Sequence, residues 1–486
     1  MRTLVIDIGT SGLRSAVVND DSSISDLHHV PCAPSSPAGG LVEFDAIEMW
    51  RAVQKVTRAS TDSGAVDAVG ITTQRASTIV WRASTGEPVG PAIGWQDLRT
   101  VGECIIAKIE HGFALAPNQT ATKAAWILRN CIADEAARSD DDLRIGTVDS
   151  WITWCLTEGA RHVTDHTNAA VTGLTNAAGT EWNPTVLDAL GLHEHQLPRI
   201  VESAGHIGNA TALHGAPPIL SLIGDQQSSL VGQGCTEPGR AKITFGTGGM
   251  LDLFVGEDAP RSSRRNDGGT FPIVAFSRGG LIHYGTEAIM LSAGTNVEWM
   301  VEDLGIIGDA ADSHSVASSC TSSAGVVFVP ALLGLGTPWW DYGARGTMLG
   351  ITRGTTRAHI VRAVLEGVAH RGADLIEAAE RDSGIAVTAV GIDGGMSRNA
   401  TFVQALADAA ARPIHVSPVS EATTLGAGFL AGCEAGQWSH LSDAAAQLSG
   451  GTTVHPLGDP SVSRQQWGEA VSRARSWIPD LSALDF

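Results

Sequence analysis

Strand-like and helix-like stretches alternate along the whole chain, and this alternation limits the fold more than any other feature of the sequence. Short apolar runs with the length of buried strands occur at 3–8, 68–72, 219–223, 326–329 and 387–392. Stretches with helical spacing lie between them. Because this alternation is typical of chains that pack helices on a sheet, the sequence predicts an α/β fold.

Two local elements can be predicted together with their ends. A glycine-bearing turn at 9–12 separates the run 3–8 from a second apolar run at 13–18, which predicts a β-hairpin. The clearest helix begins after Thr356, a good N-cap residue, and its apolar side chains recur at every fourth position. Gly384 is expected to end this helix.

The charge of the chain argues against two classes of partner. The 486 residues carry 52 acidic and 32 basic side chains, which gives a net charge of −20. A nucleic-acid-binding protein displays a basic patch or stripe, and docking on anionic lipid also needs basic residues. We therefore expect neither nucleic acid nor a membrane as a partner.

The N-terminus and the cysteines are typical of a cytoplasmic protein. The chain reaches Asp7 after three apolar residues, which does not resemble a signal peptide, and it has no apolar window of about 18 residues or more. The seven cysteines are scattered and never spaced C-x-x-C. They therefore suggest neither the usual zinc site nor a disulfide framework.

The length predicts two large domains or three smaller ones. A chain of this size can bury several cores without help from disulfides or metals. Glycines and a proline interrupt the sequence at 224–240, and we place a domain boundary there. The predicted domains are residues 1–234 and 235–486.

Several motifs of nucleotide-binding and hydrolytic sites are absent from the sequence. None of the four lysines follows a P-loop glycine run, and no G-x-G-x-x-G opens a helix. Neither G-x-S-x-G nor H-E-x-x-H occurs. The sequence therefore excludes a P-loop and lacks the dinucleotide fingerprint, the nucleophile elbow and the common zinc-protease motif.

Three turns rich in glycine and hydroxyl groups follow strand-like runs. The first, at 9–12, comes directly after Asp7, so its amides and hydroxyls could bind an anion while the aspartate holds a hydrated magnesium ion. The others lie in 243–249 and 391–399, and the paired glycines of the third would let the backbone approach a flat ligand. Because two of the turns suit phosphate and the third suits a nucleoside, we predict a divided nucleotide cleft, which is a binding cleft formed by separate parts of the chain.

Six further segments, in order along the chain, carry a recognisable pattern; they are 70–75, 95–100, 224–227, 232–239, 334–341 and 344–357, followed by His359 and Glu366. With these segments the chain resembles the FGGY carbohydrate kinases, and among them most closely the glycerol kinases. The resemblance extends from about residue 3 to about residue 438, and its ordered matches are too numerous for a chance motif.

The resemblance implies two large domains of the actin, hexokinase and Hsp70 type, each built on a ribonuclease H-like sheet, with the active site in the cleft between them. It implies ATP and Mg²⁺ as cofactors, Asp7 at the metal and Asp225 as general base. The residues implied to bind ATP are Thr10, Ser11, Arg14, Gly246, Thr247, Gly294, Glu298, Gly394, Gly395 and Asn399. Those implied to bind the small substrate are Arg75, Ala76, Trp95, Asn118, Asp225, Gln226 and Met250.

The small-substrate positions differ from those of the glycerol kinases. In those enzymes a glutamate stands at the position of Ala76, and aromatic residues stand at the positions of Asn118 and Met250. The missing glutamate removes an acceptor for substrate hydroxyls, and sites built on hydroxyl recognition discriminate strongly. The smaller Ala76 also leaves room for a longer substrate. We therefore expect a four- or five-carbon polyol, or a ketose, to fit at least as well as glycerol.

Three other functions are compatible with parts of the sequence. A kinase for a ketopentose of the xylulose or ribulose type belongs to the same class. An actin-like ATPase switch would not need Arg75 and Trp95, whereas a sugar-binding regulator without catalysis would not need an intact Asp225. A small-molecule substrate is therefore the expected partner, and self-association into a homo-oligomer stays open.

Overall fold

The largest element of the fold is a mixed sheet of 13 strands that runs through both halves of the chain. Smaller sheets of two, two and four strands flank it. We describe this architecture from a computed structural model. The structure describes residues 1–262, 264–419, 421–448, 450–458 and 460–483.

The N-terminal half begins with a three-stranded meander and continues with alternating strands and helices. Its strands are β1 (Arg2–Ile8), β2 (Gly12–Asn19), β3 (Ile24–Pro31), β4 (Glu43–Phe44), β5 (Ala68–Thr73), β6 (Thr78–Arg82), β7 (Ala92–Ile93), β8 (Leu143–Thr147), β9 (Val163–Asp165), β10 (Arg199–Val201), β11 (Ala204–Asn209) and β12 (Pro218–Gly224). Its helices are α1 (Ala46–Thr61), α2 (Val101–His111), α3 (Thr120–Cys131), α4 (Val148–Leu156), α5 (His166–Ala170), α6 (Pro184–Leu190) and α7 (Asp225–Gly232).

The C-terminal half begins with a second meander of longer strands. Its strands are β13 (Arg240–Phe245), β14 (Gly249–Gly256), β15 (Phe271–Arg278), β16 (Leu281–Met290), β17 (Val327–Val329), β18 (Thr347–Leu349), β19 (Ala389–Asp393), β20 (Ile414–Val416) and β21 (Thr452–Val454). Its helices are α8 (Thr295–Glu302), α9 (Asp312–Ser318), α10 (Arg357–Ser383), α11 (Ala400–Ala410), α12 (Ala422–Glu434), α13 (Leu441–Ala445), α14 (Arg464–Ala474) and α15 (Pro479–Ser482). Short 3₁₀ helices lie at Ala136–Ser139, Glu194–Gln196 and Gly395–Arg398.

The two halves repeat one strand order. In the first, β3, β2 and β1 pair antiparallel, and β5 and β12 then join parallel to β1. In the second, β16, β14 and β13 pair antiparallel, and β19 and β20 join parallel to β13. The halves meet where Ala204 of β11 pairs with Arg278 of β15. The predicted two-domain α/β fold is confirmed.

The parallel strands bring the ends of distant segments to one edge of each half-sheet. Asp7, near the end of β1, is in register with Thr72 of β5, and Thr72 is in register with Ile223 of β12. In the second half Thr244 of β13 is in register with Asp393 of β19. The turns that follow these strands therefore lie side by side, as expected for the carboxyl ends of parallel strands.

The longest helix, α10, begins and ends at the predicted residues. Thr356 and His359 form a reciprocal capping box at its N-terminus, and Gly384 ends it in the left-handed conformation with φ of 69°. The predicted hairpin is also confirmed, since β1 and β2 pair around the turn at 9–12. Both elements depend on neighbouring residues, which is why local patterns predict them.

Helix α12 packs on the N-terminal sheet although it lies late in the sequence. It covers β1, β5 and β12 and lies against α7. Leu425 and Phe429 of α12 share a buried cluster with Val5 and Ile223. A β-carbon at Gly426 would overlap the carbonyl of Ser228, so the two helices approach at backbone distance.

No helix within the described parts of the chain has the length and apolar character needed to cross a lipid bilayer.

Candidate active site

Three predicted site residues lie at the carboxyl edge of the N-terminal half-sheet. Asp7 lies next to the end of β1, Arg75 follows β5, and Asp225 follows β12 as the first residue of α7. The backbone amide of Gly9 donates to the carbonyl of Gly12 at 3.0 Å and closes the turn after β1. This edge therefore combines two carboxylates, a guanidinium and a hydroxyl-bearing turn.

Asp7 is a buried carboxylate between charges of both signs. Its Oδ2 has no hydrogen-bond partner and lies 3.5 Å from Nη1 of Arg14, which also lies 3.4 Å from Oε2 of Glu421. Burial raises the pKa of Asp7 to about 7; Arg14 opposes this rise, while Asp225 and Glu421 add to it. Asp7 is thus poised for a cation that would neutralise its charge.

Asp225 is held at the N-terminus of α7. The amide of Gln226 donates to its Oδ1 at 2.8 Å, and Nε of Arg75 lies 3.8 Å from the same oxygen. Burial raises the pKa of Asp225, an effect that Arg75, the Gln226 amide and Lys242 partly offset. A carboxylate with a raised pKa is a better proton acceptor, as a general base requires.

Arg75 spans from the N-terminal half to the C-terminal half. Its Nη2 donates to Oε2 of Glu287 on β16 at 2.7 Å, while its buried Nη1 has no hydrogen-bond partner. The side chain crosses Gly224, where a β-carbon would come within 2.9 Å of Cδ of Arg75. The free Nη1 donor is suited to an oxygen atom of a substrate beside Asp225.

Trp95 connects the predicted substrate pocket to the predicted phosphate turn. Its Nε1 donates to Oγ1 of Thr10 at 3.0 Å, and its backbone amide donates to Oγ of Ser77 at 3.1 Å. Ser77 in turn donates to Gln74 at 3.1 Å, and Gln74 donates to the carbonyl of Gly9 at 3.4 Å. Ser11 is exposed in the same turn.

Ala76 has a backbone conformation that is uncommon for a residue with a side chain. Its φ is 61°, and its side chain is buried. The hydroxyls of Thr78 and Thr120 donate to its carbonyl at 3.1 and 3.3 Å and hold the strained turn. Asn118, two residues before Thr120, is exposed, and its carbonyl accepts from Nζ of Lys123 at 3.0 Å.

The predicted phosphate turn of the C-terminal half is bound to the start of α8. Gly294 donates to the carbonyl of Gly246 at 2.8 Å, and Ala293 donates to that of Thr247 at 2.8 Å. A β-carbon at Gly294 would come within 2.6 Å of the Gly246 carbonyl oxygen, so only glycine permits this approach. Glu298 is exposed in the first turn of α8, and its amide donates to Gly294.

The third glycine turn lies beside the second because β19 pairs with β13. Gly394 has φ of 86°, and a β-carbon there would overlap the carbonyl of Phe245. A β-carbon at Gly395 would meet open space. Asn399 caps α11 by accepting from Phe402 at 3.1 Å and donates to Ser313 at 2.9 Å. The second and third glycine turns therefore lie side by side, whereas the side chain of Asn399 is hydrogen-bonded to Ser313 of α9.

Helix α7 connects the two sets of residues. Gln233, which follows it, donates to Oδ2 of Asp393 at 2.9 Å, and Ser229 donates to the same oxygen at 3.4 Å. Asp393 directly precedes Gly394. The helix that begins with Asp225 therefore ends against the predicted nucleoside turn.

Several charged residues near this site were absent from the sequence prediction. Lys242 and Asp252 form a fully buried ion pair of 2.8 Å, and Lys242 also donates to Oε1 of Gln226 at 2.7 Å. Glu287 and Glu421 contact Arg75 and Arg14. One sequence signal could have identified them: a charged residue within an apolar strand is unusual, and Asp252 stands between Leu251 and Leu253. Met250 lies on the same strand, opposite Thr244 and Ile289.

The residues around Asp7 fit a magnesium ion. Within the described ranges no group of three or more His, Cys, Asp or Glu side chains is arranged to hold a metal. Mg²⁺ is usually bound through one or two carboxylates, with waters and substrate phosphates completing its shell. The buried Oδ2 of Asp7, which has no hydrogen-bond partner, suits that mode, and Asp225 and Glu421 add negative potential.

Two family models together match most of the chain. The FGGY family of carbohydrate kinases, N-terminal domain, matches residues 2–232, and the C-terminal domain of the same family matches residues 241–435. The fold and the site together define a phosphotransferase with an alcohol group as acceptor. The chain belongs to the FGGY family of carbohydrate kinases.

Similar proteins include glycerol kinases from several organisms. The glycerol kinases of Shewanella oneidensis and Deinococcus radiodurans are each 37% identical to this chain; the alignments cover 97% and 99% of it and 99% of each relative. The crystal structure of Plasmodium falciparum glycerol kinase with ADP has a TM-score of 0.89 at 28% identity and covers 97% of this chain and 98% of its own. The xylulose kinase of Lactobacillus acidophilus, with a TM-score of 0.85 at 22% identity, covers 97% of both chains and supports the fold alone.

Proposed function

We propose that this kinase transfers the γ-phosphoryl group of ATP to a hydroxyl of a small, neutral polyol or sugar, with Asp225 as general base. The observation that carries the proposal is the position of Asp225, which is half-buried with a raised pKa next to Arg75 and begins the helix that reaches the predicted nucleoside turn. Family membership supports the reaction class.

The residues of the N-terminal half would bind and activate the acceptor. Nη1 of Arg75 donates to a substrate oxygen and orients it beside Asp225. The Asp225 carboxylate accepts or orients the proton of the attacking hydroxyl, which makes that oxygen a better nucleophile. Trp95 covers the pocket and, through its contact with Thr10, joins it to the phosphate turn.

The nucleotide would lie along the C-terminal turns. The amides at Gly246 and Thr247 face the phosphates, while the open space at Gly395 admits the adenosine, with Gly294 nearby. Arg14 supplies positive charge from the other side of the cleft. We accordingly assign the acceptor to residues 1–234 and the nucleotide to residues 235–486.

Asp7 is the residue that would hold Mg²⁺ in this scheme. When bound, the ion neutralises negative charge on the triphosphate. Arg14, 3.5 Å from Asp7, adds a fixed positive charge at the same place. Within an acidic protein these charges would make binding of the triphosphate favourable.

The charges around Arg75 favour a neutral acceptor. Arg75 and Lys242 face three carboxylates, those of Asp225, Asp252 and Glu287. Because these positive charges are already matched, a carboxylate or phosphate on the acceptor would gain little from entering the pocket.

The size of the acceptor follows from the position of Ala76. A short side chain at this strained turn gives no acceptor for a substrate hydroxyl and leaves space beside Arg75. A four- or five-carbon polyol is therefore expected to react at least as well as glycerol, the substrate named for its relatives. A ketopentose is the second candidate, favoured by the donor at Nη1 of Arg75, which can bind a carbonyl oxygen.

A substrate panel tests the proposed function. ADP release is measured with ATP, Mg²⁺ and neutral polyols and ketoses of three to six carbons, with an aldonate as the acidic control. Turnover that depends on a neutral acceptor supports the proposal. ATP hydrolysis that no acceptor stimulates would instead indicate an ATPase switch, and ATP binding without turnover would indicate a regulator.

A further inference from the structure

We infer that Lys242, Asp252 and Glu287, three buried residues of the C-terminal sheet, are positioning residues that hold Arg75 and Gln226 on either side of Asp225. We call these three residues the charged row. The inference rests on the proposed function, because it concerns how the acceptor pocket of that reaction is built. It adds residues of the C-terminal half to a pocket assigned to the N-terminal half.

The strand register places the charged row in one line across three strands. Lys242 of β13 is directly opposite Asp252 of β14, and Asp252 is directly opposite Glu287 of β16. Residues directly opposite each other on paired antiparallel strands point to the same face of the sheet. The three side chains therefore project together towards the N-terminal half.

Each end of the charged row contacts a residue beside the base. Glu287 accepts from Nη2 of Arg75 at 2.7 Å, and Lys242 donates to Oε1 of Gln226 at 2.7 Å. Asp252 lies between them and pairs with Lys242 at 2.8 Å. The charged row thus reaches from Arg75, the second residue after β5, to Gln226, the residue after Asp225.

Burial makes a purely stabilising role a weak explanation. The side chains of Lys242 and Asp252 are fully buried, and that of Glu287 is 9% exposed. Charges lose much of their hydration free energy on burial, so apolar residues of similar volume are often at least as stabilising. A buried ion pair can hold a neighbouring polar group in a fixed position, whereas a pair of apolar side chains cannot.

The contact with Glu287 fixes the orientation of the Arg75 guanidinium. With Nη2 bonded to Glu287, the guanidinium of Arg75 cannot rotate freely, and its buried Nη1 is left without a partner. A donor fixed in this way recognises a substrate oxygen without first losing conformational freedom. Without Glu287, Arg75 would be free to pair with Asp225, whose Oδ1 is already 3.8 Å from Nε.

The test compares Glu287→Gln with the wild type on the best acceptor of the panel. We expect the KM for the acceptor to rise about tenfold, because the neutral amide oxygen of glutamine accepts from Arg75 more weakly than a carboxylate does, while the KM for ATP changes less than about twofold. Glu257→Gln, an exposed glutamate after β14, is the matched control and should behave like the wild type. An unchanged acceptor KM in Glu287→Gln would overturn the inference.

A double-mutant cycle separates positioning from general damage. Because Glu287 acts through Arg75, the variant Arg75→Met with Glu287→Gln should be no worse for acceptor KM than Arg75→Met alone. Additive effects would contradict the inference. The variant Lys242→Met with Asp252→Leu removes both charges at similar volume and should also raise the acceptor KM.

The possible failures can be told apart. A wild-type enzyme without acceptor-dependent turnover would refute the proposed function itself. A wild-type enzyme that turns over, with variants that fail to fold or that lose ATP and acceptor affinity equally, would assign the charged row to stability and overturn the positioning role.

Discussion

Arg75 and Glu287 form a 2.7 Å hydrogen bond across 212 positions of sequence and across the cleft between the two halves of the protein. One partner follows a strand of the N-terminal half-sheet, and the other lies within a strand of the C-terminal one. The proposed acceptor pocket is therefore built from residues of both halves. Closure of such two-domain enzymes around substrate also excludes water from the reaction.

Replacing the proposed base should stop transfer without preventing nucleotide binding. Asp225→Asn keeps the size of the side chain but removes the proton acceptor, so kcat should fall by about 10²–10⁴-fold. The Kd for ATP, measured by calorimetry, should change little because Asp225 lies on the acceptor side. Turnover close to that of the wild type would remove Asp225 from this role.

Restoring a carboxylate beside Arg75 should improve glycerol as a substrate. Ala76→Glu returns the acceptor found in glycerol kinases, and kcat/KM for glycerol should rise about tenfold, the scale of one hydrogen bond to a charged group. Ala76→Gln is the matched control, since it has the same length and faces the same backbone φ of 61°. Equal effects of both variants would show that the charge is not responsible.

Two adjacent glycines should respond differently to alanine. In Gly394→Ala the new β-carbon meets the Phe245 carbonyl at a φ of 86°, so the free energy of unfolding should fall by about 2 kcal/mol. Gly395→Ala has open space around its β-carbon and should keep the stability of the wild type. Its KM for ATP should rise if the adenosine occupies that space. Denaturant unfolding and ATP titration distinguish the two; a destabilised Gly395→Ala would contradict the assignment.

The buried Lys123 should make stability depend on pH. Burial lowers its pKa from 10.5 to about 7, with Asp97 opposing the shift, so the unfolded chain binds more protons between these values. This lysine should therefore make the free energy of unfolding rise between about pH 7 and 10.5, by up to about 1.4 kcal/mol per pH unit.

The comparison with Lys123→Met isolates that contribution. The difference in free energy of unfolding between wild type and variant should shift in favour of the wild type as the pH rises through this range. Lys55→Met, at an exposed position of α1, is the control and should show no such trend. Parallel pH curves for wild type and Lys123→Met would refute the prediction.

The sequence predicted the parts of this protein that depend on neighbouring residues. The hairpin around 9–12, the ends of α10 and the three glycine turns are encoded within short segments, so patterns of glycine, hydroxyl and apolar residues identify them. Asp225 was recognised because a family motif surrounds it. Its position beside Arg75 then followed from the parallel pairing of β5 and β12.

The charged row depends on strand register and could not be predicted in the same way. Lys242, Asp252 and Glu287 lie on three different strands, and a shift of one residue between strands would turn them to opposite faces. The shared strand order of the two halves leaves no repeat of fixed period in the sequence, so only the family resemblance led us to expect it. Both features depend on which strands pair and in which register, and neither composition nor motif spacing predicts that pairing.

The position of α12 has a consequence for biosynthesis. A ribosome releases β1, β5 and β12 long before it reaches residues 422–434, yet this late helix covers their apolar face. During that interval Val5 and Ile223 lack the neighbours Leu425 and Phe429, with which they are buried in the finished protein. Nascent chains therefore carry an exposed, aggregation-prone surface, and the first half completes its folding only after most of the second has been translated.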